Sequence, residues 1–101
     1  MTRAPNGDLI IADDSADRFK RVTTTGGVVV SNFLTEFQLE TGIVGGEVDL
    51  DGGIAFDDLG NFFFAEENTD NIYMVDAMLI GSIFVSKADI MAVTGVTPDL
   101  E

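Results

Sequence analysis

Residues 6–22, Asn6-Gly7-Asp8-Leu9-Ile10-Ile11-Ala12-Asp13-Asp14-Ser15-Ala16-Asp17-Arg18-Phe19-Lys20-Arg21-Val22, lie over residues 59–75 without a gap, at an offset of 53 (Gly7 to Gly60). Under that offset Leu9-Ile10-Ile11-Ala12 falls on Phe62-Phe63-Phe64-Ala65, and Asp13-Asp14 falls on Glu66-Glu67. Asp17 meets Asp70, Phe19 meets Ile72 and Val22 meets Val75. A chain that repeats one strand–turn–strand text builds one kind of unit twice, and each unit must find cover for the apolar surface it presents.

The second copy is the easier to read. Ile54 to Asp57, Phe62 to Glu66 and Ile72 to Asp76 are three short apolar runs with strand character. Asp58-Leu59-Gly60-Asn61 and Asn68-Thr69-Asp70-Asn71 separate them, and both are rich in residues that bond their own backbone or tolerate left-handed dihedrals. Phe62 to Glu66 is apolar on both faces, so cover on both sides is expected. A fourth β-rich run follows in each copy, Gly27 to Ser31 and Gly81 to Ser86. A short helix comes next, Thr35 to Gly42 and Ser86 to Gly95, each opening on an N-cap hydroxyl and closing before a glycine. Thr35 with Gln38 and Ser86 with Asp89 have capping-box spacing. Both copies end alike, at Asp49-Leu50-Asp51 and Asp99-Leu100-Glu101. The chain therefore divides into residues 1–51 and 52–101, with Met1 to Ala4 as a shortened first strand of the first unit.

Four short antiparallel strands at a period near 50 residues (Gly7 to Gly60 being 53) is the pattern of a β-propeller blade. The text Gly53-Ile54-Ala55-Phe56-Asp57, Gly60-Asn61-Phe62-Phe63-Phe64-Ala65-Glu66, then Asn71-Ile72 and Val75-Asp76, resembles the blade motif of NHL-type propellers. It is similar also to the gluconolactonase-like and YWTD groups. About half of each unit carries the resemblance. It implies an all-β fold of two propeller blades and an extracellular or periplasmic setting; the short helix after each blade is read from the residues and lies outside the motif. Rings of this kind usually hold about six blades, so the resemblance implies either a longer chain or assembly of copies, with a trimer the favoured homo-oligomer. Propellers host many functions, so activity must be argued from residues.

Composition narrows the chemistry. The 101 residues contain no Cys and no His, which removes thiolate ligands, cysteine nucleophiles and the usual neutral-pH general base. Ser31, Ser82 and Ser86 have no basic partner for nucleophilic work, and no phosphate-binding glycine loop is present. The formal charge is −13, and Lys87 alone among the cations follows residue 21, against fourteen Asp and Glu. Such a field repels phosphate backbones and anionic lipid, so neither nucleic acid nor membrane is an expected partner. No apolar run reaches the ~20 residues of a membrane span, and no leader segment is expected before Asn6. Glu47, Asp49, Asp51, Asp57 and Asp58 place five carboxylates within twelve residues, and Asp49, Asp51 and Asp57 are the candidate ligands for Ca²⁺, a hard ion that takes oxygen donors. The opposing expectation is a solvated acidic loop in which Asp57 caps a turn. The function expected is a non-catalytic binding or scaffolding module without a required cofactor. The alternative is a calcium-dependent hydrolase of lactonase type.

Overall fold

Period-two alternation and turn chemistry divide the chain much as the repeat implies. The computed structural model describes residues 1–23 and 28–95, apart from the side chains of residues 51 and 52. Among the described residues the strands are β1 (Thr2–Arg3), β2 (Leu9–Asp13), β3 (Arg18–Thr23), β4 (Val29–Leu34), β5 (Leu50–Phe56), β6 (Phe62–Glu66), β7 (Asn71–Val75) and β8 (Gly81–Val85). Helix α1 (Glu36–Gly42) follows β4 and helix α2 (Lys87–Thr94) follows β8. The strands form two four-stranded antiparallel sheets, in the orders β1-β2-β3-β4 and β5-β6-β7-β8. The fold is mostly β.

The two sheets share one register. Ile10 pairs with Thr2 and Arg21, and its equivalent Phe63 pairs with Ala55 and Met74. Each of the five β2–β3 pairs has its counterpart in β6–β7 at the offset of 53. A bulge falls after Phe19 in the first sheet and after the equivalent Ile72 in the second. Beyond the β3–β4 and β7–β8 hairpins the offset becomes 51, so Leu34 answers to Val85 and Thr35 to Ser86. The turns repeat as well. Gly7 and Gly60 have φ of 95° and 87°, and Asp17 and Asp70 have φ of 47° and 54°. Asp is among the few residues with a side chain that enter this left-handed region readily, which is why it recurs at that turn.

Both helices begin with a complete capping box. The Thr35 hydroxyl accepts from the Gln38 N–H while the Gln38 side chain accepts from the Thr35 N–H, and Ser86 with Asp89 does the same. Their C-termini differ. Helix α2 ends on Gly95 at φ 71°, as expected, whereas α1 carries Gly42 as its last helical residue and ends on Ile43. Val44 then turns back, donating to the Leu39 carbonyl at 2.8 Å.

One core joins the sheets. Ile10, Phe19, Leu34 and Leu39 from the first unit meet Phe62, Phe64, Tyr73 and Val75 from the second, with Val48 and Leu50 between them. Phe19 presents its edge to Phe62, with centroids 4.9 Å apart, and also touches Phe64 at 5.2 Å. Such pairs contribute about 0.5–1.5 kcal/mol beyond area burial. Because successive side chains alternate across a strand, the buried set identifies which face each sheet turns inward. The first sheet uses Ile10 and Phe19. The second uses Phe62, Phe64, Tyr73 and Val75, whose equivalents in the first sheet are Leu9, Ile11, Lys20 and Val22. The sheets are therefore stacked front to back, not front to front.

Several expectations shift in detail. Strand β5 starts at Leu50, so the unit boundary expected between residues 51 and 52 falls inside it. Strand β4 runs on to Phe33 and Leu34, both of which enter or border the core. Strand β6 is covered on one face: Phe62, Phe64 and Glu66 are buried while Phe63 and Ala65 are half-buried. Phe63 instead lies edge-on against Phe84, at 4.8 Å, on the outer face of the second sheet. Gly27 and the closing residues 99–101, which the repeat also uses, lie outside the described residues.

The stacking makes unequal demands on two aromatic residues of the corresponding face, Phe19 in the first sheet and Phe63 in the second. Phe19→Ala, at a fully buried site, is expected to cost about 3–5 kcal/mol. Phe63→Ala, at a half-buried site, is expected to cost less than half of that. Urea unfolding of both variants checks this, and equal costs would contradict the face assignment.

Candidate functional site

The acidic segment expected to hold Ca²⁺ straddles β5. Asp49 precedes the strand and Asp57 follows it, on the order of 20 Å apart at about 3.3 Å per residue. The structure does not bring these two together, and the side chain of Asp51 lies outside the described residues. No group of three or more His, Cys, Asp or Glu is placed to hold a metal ion among the described residues.

Asp57 caps the β5–β6 turn. Its Oδ1 accepts from the N–H groups of Leu59 and Asn61, both at 2.9 Å, and its Oδ2 accepts from the Asn61 side-chain amide at 2.9 Å. The Asn61 amide, followed by those backbone N–H groups, holds the Asp57 carboxyl below the usual carboxylate range. Asp76 serves the β7–β8 turn in the same manner, accepting from the Met78 and Ile80 N–H groups at 2.9 and 3.0 Å.

At the other end of the sheets the ordering group is Glu66. Its side chain is fully buried at the end of β6. One carboxylate oxygen accepts from the backbone N–H groups of Asp49 and Asn68, at 2.9 and 2.8 Å. The other accepts from the Thr69 N–H at 2.8 Å and the Thr69 hydroxyl at 2.7 Å. Thr69 and Asn71 in turn reach the buried Tyr73 hydroxyl at 3.1 and 3.3 Å, and Asn71 accepts from the Lys87 N–H at the start of α2. Glu66 thus fastens the segment entering β5 to the β6–β7 turn. Asp17 adds a second fastening from the first sheet, accepting from the Leu50 N–H at 3.1 Å. The signal for Glu66 was its period-two spacing from Phe62 and Phe64, which puts the three on one face.

Its repeat equivalent, Asp13, is treated differently. The Ser15 hydroxyl donates to it at 2.7 Å, and Arg18 and Lys20 stand 3.4 and 3.5 Å away. The Ser15 hydrogen bond, with the two cations beside it, lowers its pKa.

Between the sheets a cleft of about 340 Å³ opens at the end where the Asp57 and Asp76 turns lie. Arg21, Phe33, Phe56 and Asp76 are among its walls. The Arg21 guanidinium lies 5.1 Å from the centre of the Phe33 ring and 3.8 Å from the carboxylate of the buried Asp8. The cleft offers a cation over an aromatic surface, with the Asp76 carboxylate in its wall.

Two outcomes follow for these carboxylates. Glu66→Ala leaves three backbone N–H groups without their acceptor, so a loss of about 3 kcal/mol or more is expected in urea unfolding, against less than about 0.5 kcal/mol for exposed Asp14→Ala. For Asp57 the folded pKa lies below the unfolded value, so its contribution is complete above pH ~4 and is lost as pH falls through the lowered folded value. Unfolding across pH 2–6 should show Asp57→Asn removing part of the acid-induced loss seen in the wild type.

Comparison with protein-family models, with curated proteins and with solved structures finds no match, so function must be argued from the geometry of the chain itself.

Proposed function

We propose that the chain is a pair of propeller-type blades and that it acts as a non-catalytic binding or scaffolding module. The observation that carries this reading is the front-to-back stacking of two sheets with one register. Blades around a ring are related by rotation, so each must present its front to the back of the next. Two sheets of a closed sandwich would have no reason to bury non-equivalent faces. Support comes also from β5, which lies closest to β1 and β2 while Leu39, Phe33 and Tyr73 fill the space between the sheets, a wedge suited to a ring. The acids described above act on backbone amides and turn residues, as a scaffold requires. Two blades leave one face open at either end, to be covered by further blades of a longer chain or of another copy, and these faces are the binding surfaces.

Solution NMR of the intact chain tests the geometry. Contacts of the Phe19 ring with Phe62 and Phe64 are expected, together with none between the Phe63 ring and Ile10 or Phe19 on the front of the first sheet; the opposite pattern ends the blade reading. The non-catalytic part is tested by calcium titration calorimetry with a panel of lactones. No submillimolar calcium site and no calcium-dependent hydrolysis are expected. Hydrolysis abolished by Asp49→Asn and Asp57→Asn would replace this reading with the lactonase-type hydrolase.

A further inference from the structure

The internal junction is a template for a second, intermolecular one. Four residues of the first unit, Ile10, Phe19, Leu34 and Leu39, are fully buried where the second sheet covers them. Their equivalents in the second unit are Phe63, Ile72, Val85 and Ile90. All four are only half-buried, and α2 buries no residue at all, although α1 buries Leu39. Nearby Phe84 is 57% exposed and Val93 is 88% exposed. The strand positions of this front face, Ala55, Phe63, Ala65, Ile72 and Met74, carry no charge, and a shallow apolar groove runs across the first four of them. The second unit thus displays the donor half of the junction that the first unit has already used.

The acceptor half is displayed at the opposite end of the same chain. Leu9, Ile11 and Val22 on the back of the first sheet are equivalent to Phe62, Phe64 and Val75, which are buried inside. Lys20 stands where Tyr73 stands. Its ammonium is held by Asp13 at 3.5 Å, so its alkyl stem can lie along an apolar partner while the charge stays paired at the rim. The template differs at one place: Val30 stands where Gly81 stands, and there an added Cβ would meet Ile43 at 2.7 Å, so the intermolecular contact must be wider at that point.

We infer that the front of the second sheet with α2 docks on the back of the first sheet of another copy of this chain. The inference rests on the blade reading above. Neither face is self-complementary in this arrangement, so the contact is heterologous, and repetition of it closes a ring when the rotation allows. Three chains supply six sheets and are the expected number. The net charge of −13 opposes approach, but the faces are apolar, so added salt screens the repulsion and strengthens association.

The test uses the full chain and paired variants. Light scattering over a hundredfold concentration range at high salt should give three times the 10.8 kDa chain mass. Met74→Glu spoils only the front and Val22→Glu only the back, so each variant alone should be monomeric. Mixed, they retain one intact front and one intact back, and should form a one-to-one dimer that grows no further. Ile72→Glu and Ile11→Glu serve as the second pair, and circular dichroism confirms that each variant is folded. A wild type that stays monomeric, a mixture that stays monomeric, or either variant keeping the wild-type mass overturns the inference. A monomer retaining the Phe19–Phe64 contact would overturn this inference alone; loss of that contact would remove the blade reading with it.

Discussion

Everything in this structure depends on a surface shortage. A four-stranded sheet of short strands has two faces and almost no thickness, and here both faces carry apolar residues. Neither sheet can satisfy itself. Stacking Phe19 and Ile10 against Phe62 and Phe64 covers one face of each and leaves the other to be dealt with. The aromatic wedge, the placing of α1 with Leu39 inward and the tight approach of Ile43 to Gly81 all serve that one junction.

Polar groups hold the junction in register where apolar contact alone would let it slide. Hydrophobic burial is non-directional, whereas Glu66 accepts specific amides from the segment that crosses between the sheets. Asp17 reaches the same segment from the other side. A carboxylate surrounded by four donors is costly to misplace, so these two acids fix the seam that the phenylalanines fill. The equivalent acid on the exposed back, Asp13, pairs with side chains of its own sheet instead. The same position in the repeat has thus been adapted to a seam in one copy and to a surface in the other.

Much of the fold was legible because the repeat supplied two readings of each element. The short strand at Thr2–Arg3, both capping boxes and the hairpins at Gly7 and Gly60 follow directly from the text. What was not legible were the facts that a linear sequence does not carry. Leu9-Ile10-Ile11 and Phe62-Phe63-Phe64 look alike, and nothing in them tells which member is covered by this chain's own second sheet. Leu50 to Gly53 read as an acidic glycine loop, yet the strand begins there because Leu50 is drawn into the core between the sheets. Asp49 and Asp57 are near in sequence yet stand at opposite ends of β5, since an extended strand separates neighbours more than any other conformation. Glu66 was obscured because Phe62 to Ala65 is apolar on both faces, which leaves the inward face unmarked in the text.

The position of the unit boundary within β5 has a consequence for how the chain acquires its structure. Every strand pairing is between sequence neighbours, so each meander can form from local contacts, which favours rapid hairpin formation. The core, by contrast, draws on Leu39, Val48 and Leu50, which belong in sequence to the end of the first repeat and in space to the seam between both. Neither repeat can therefore be excised as a folded half, because the cut removes part of the other's interior. The duplicated text shares one interior, and the few residues that connect the copies belong to both.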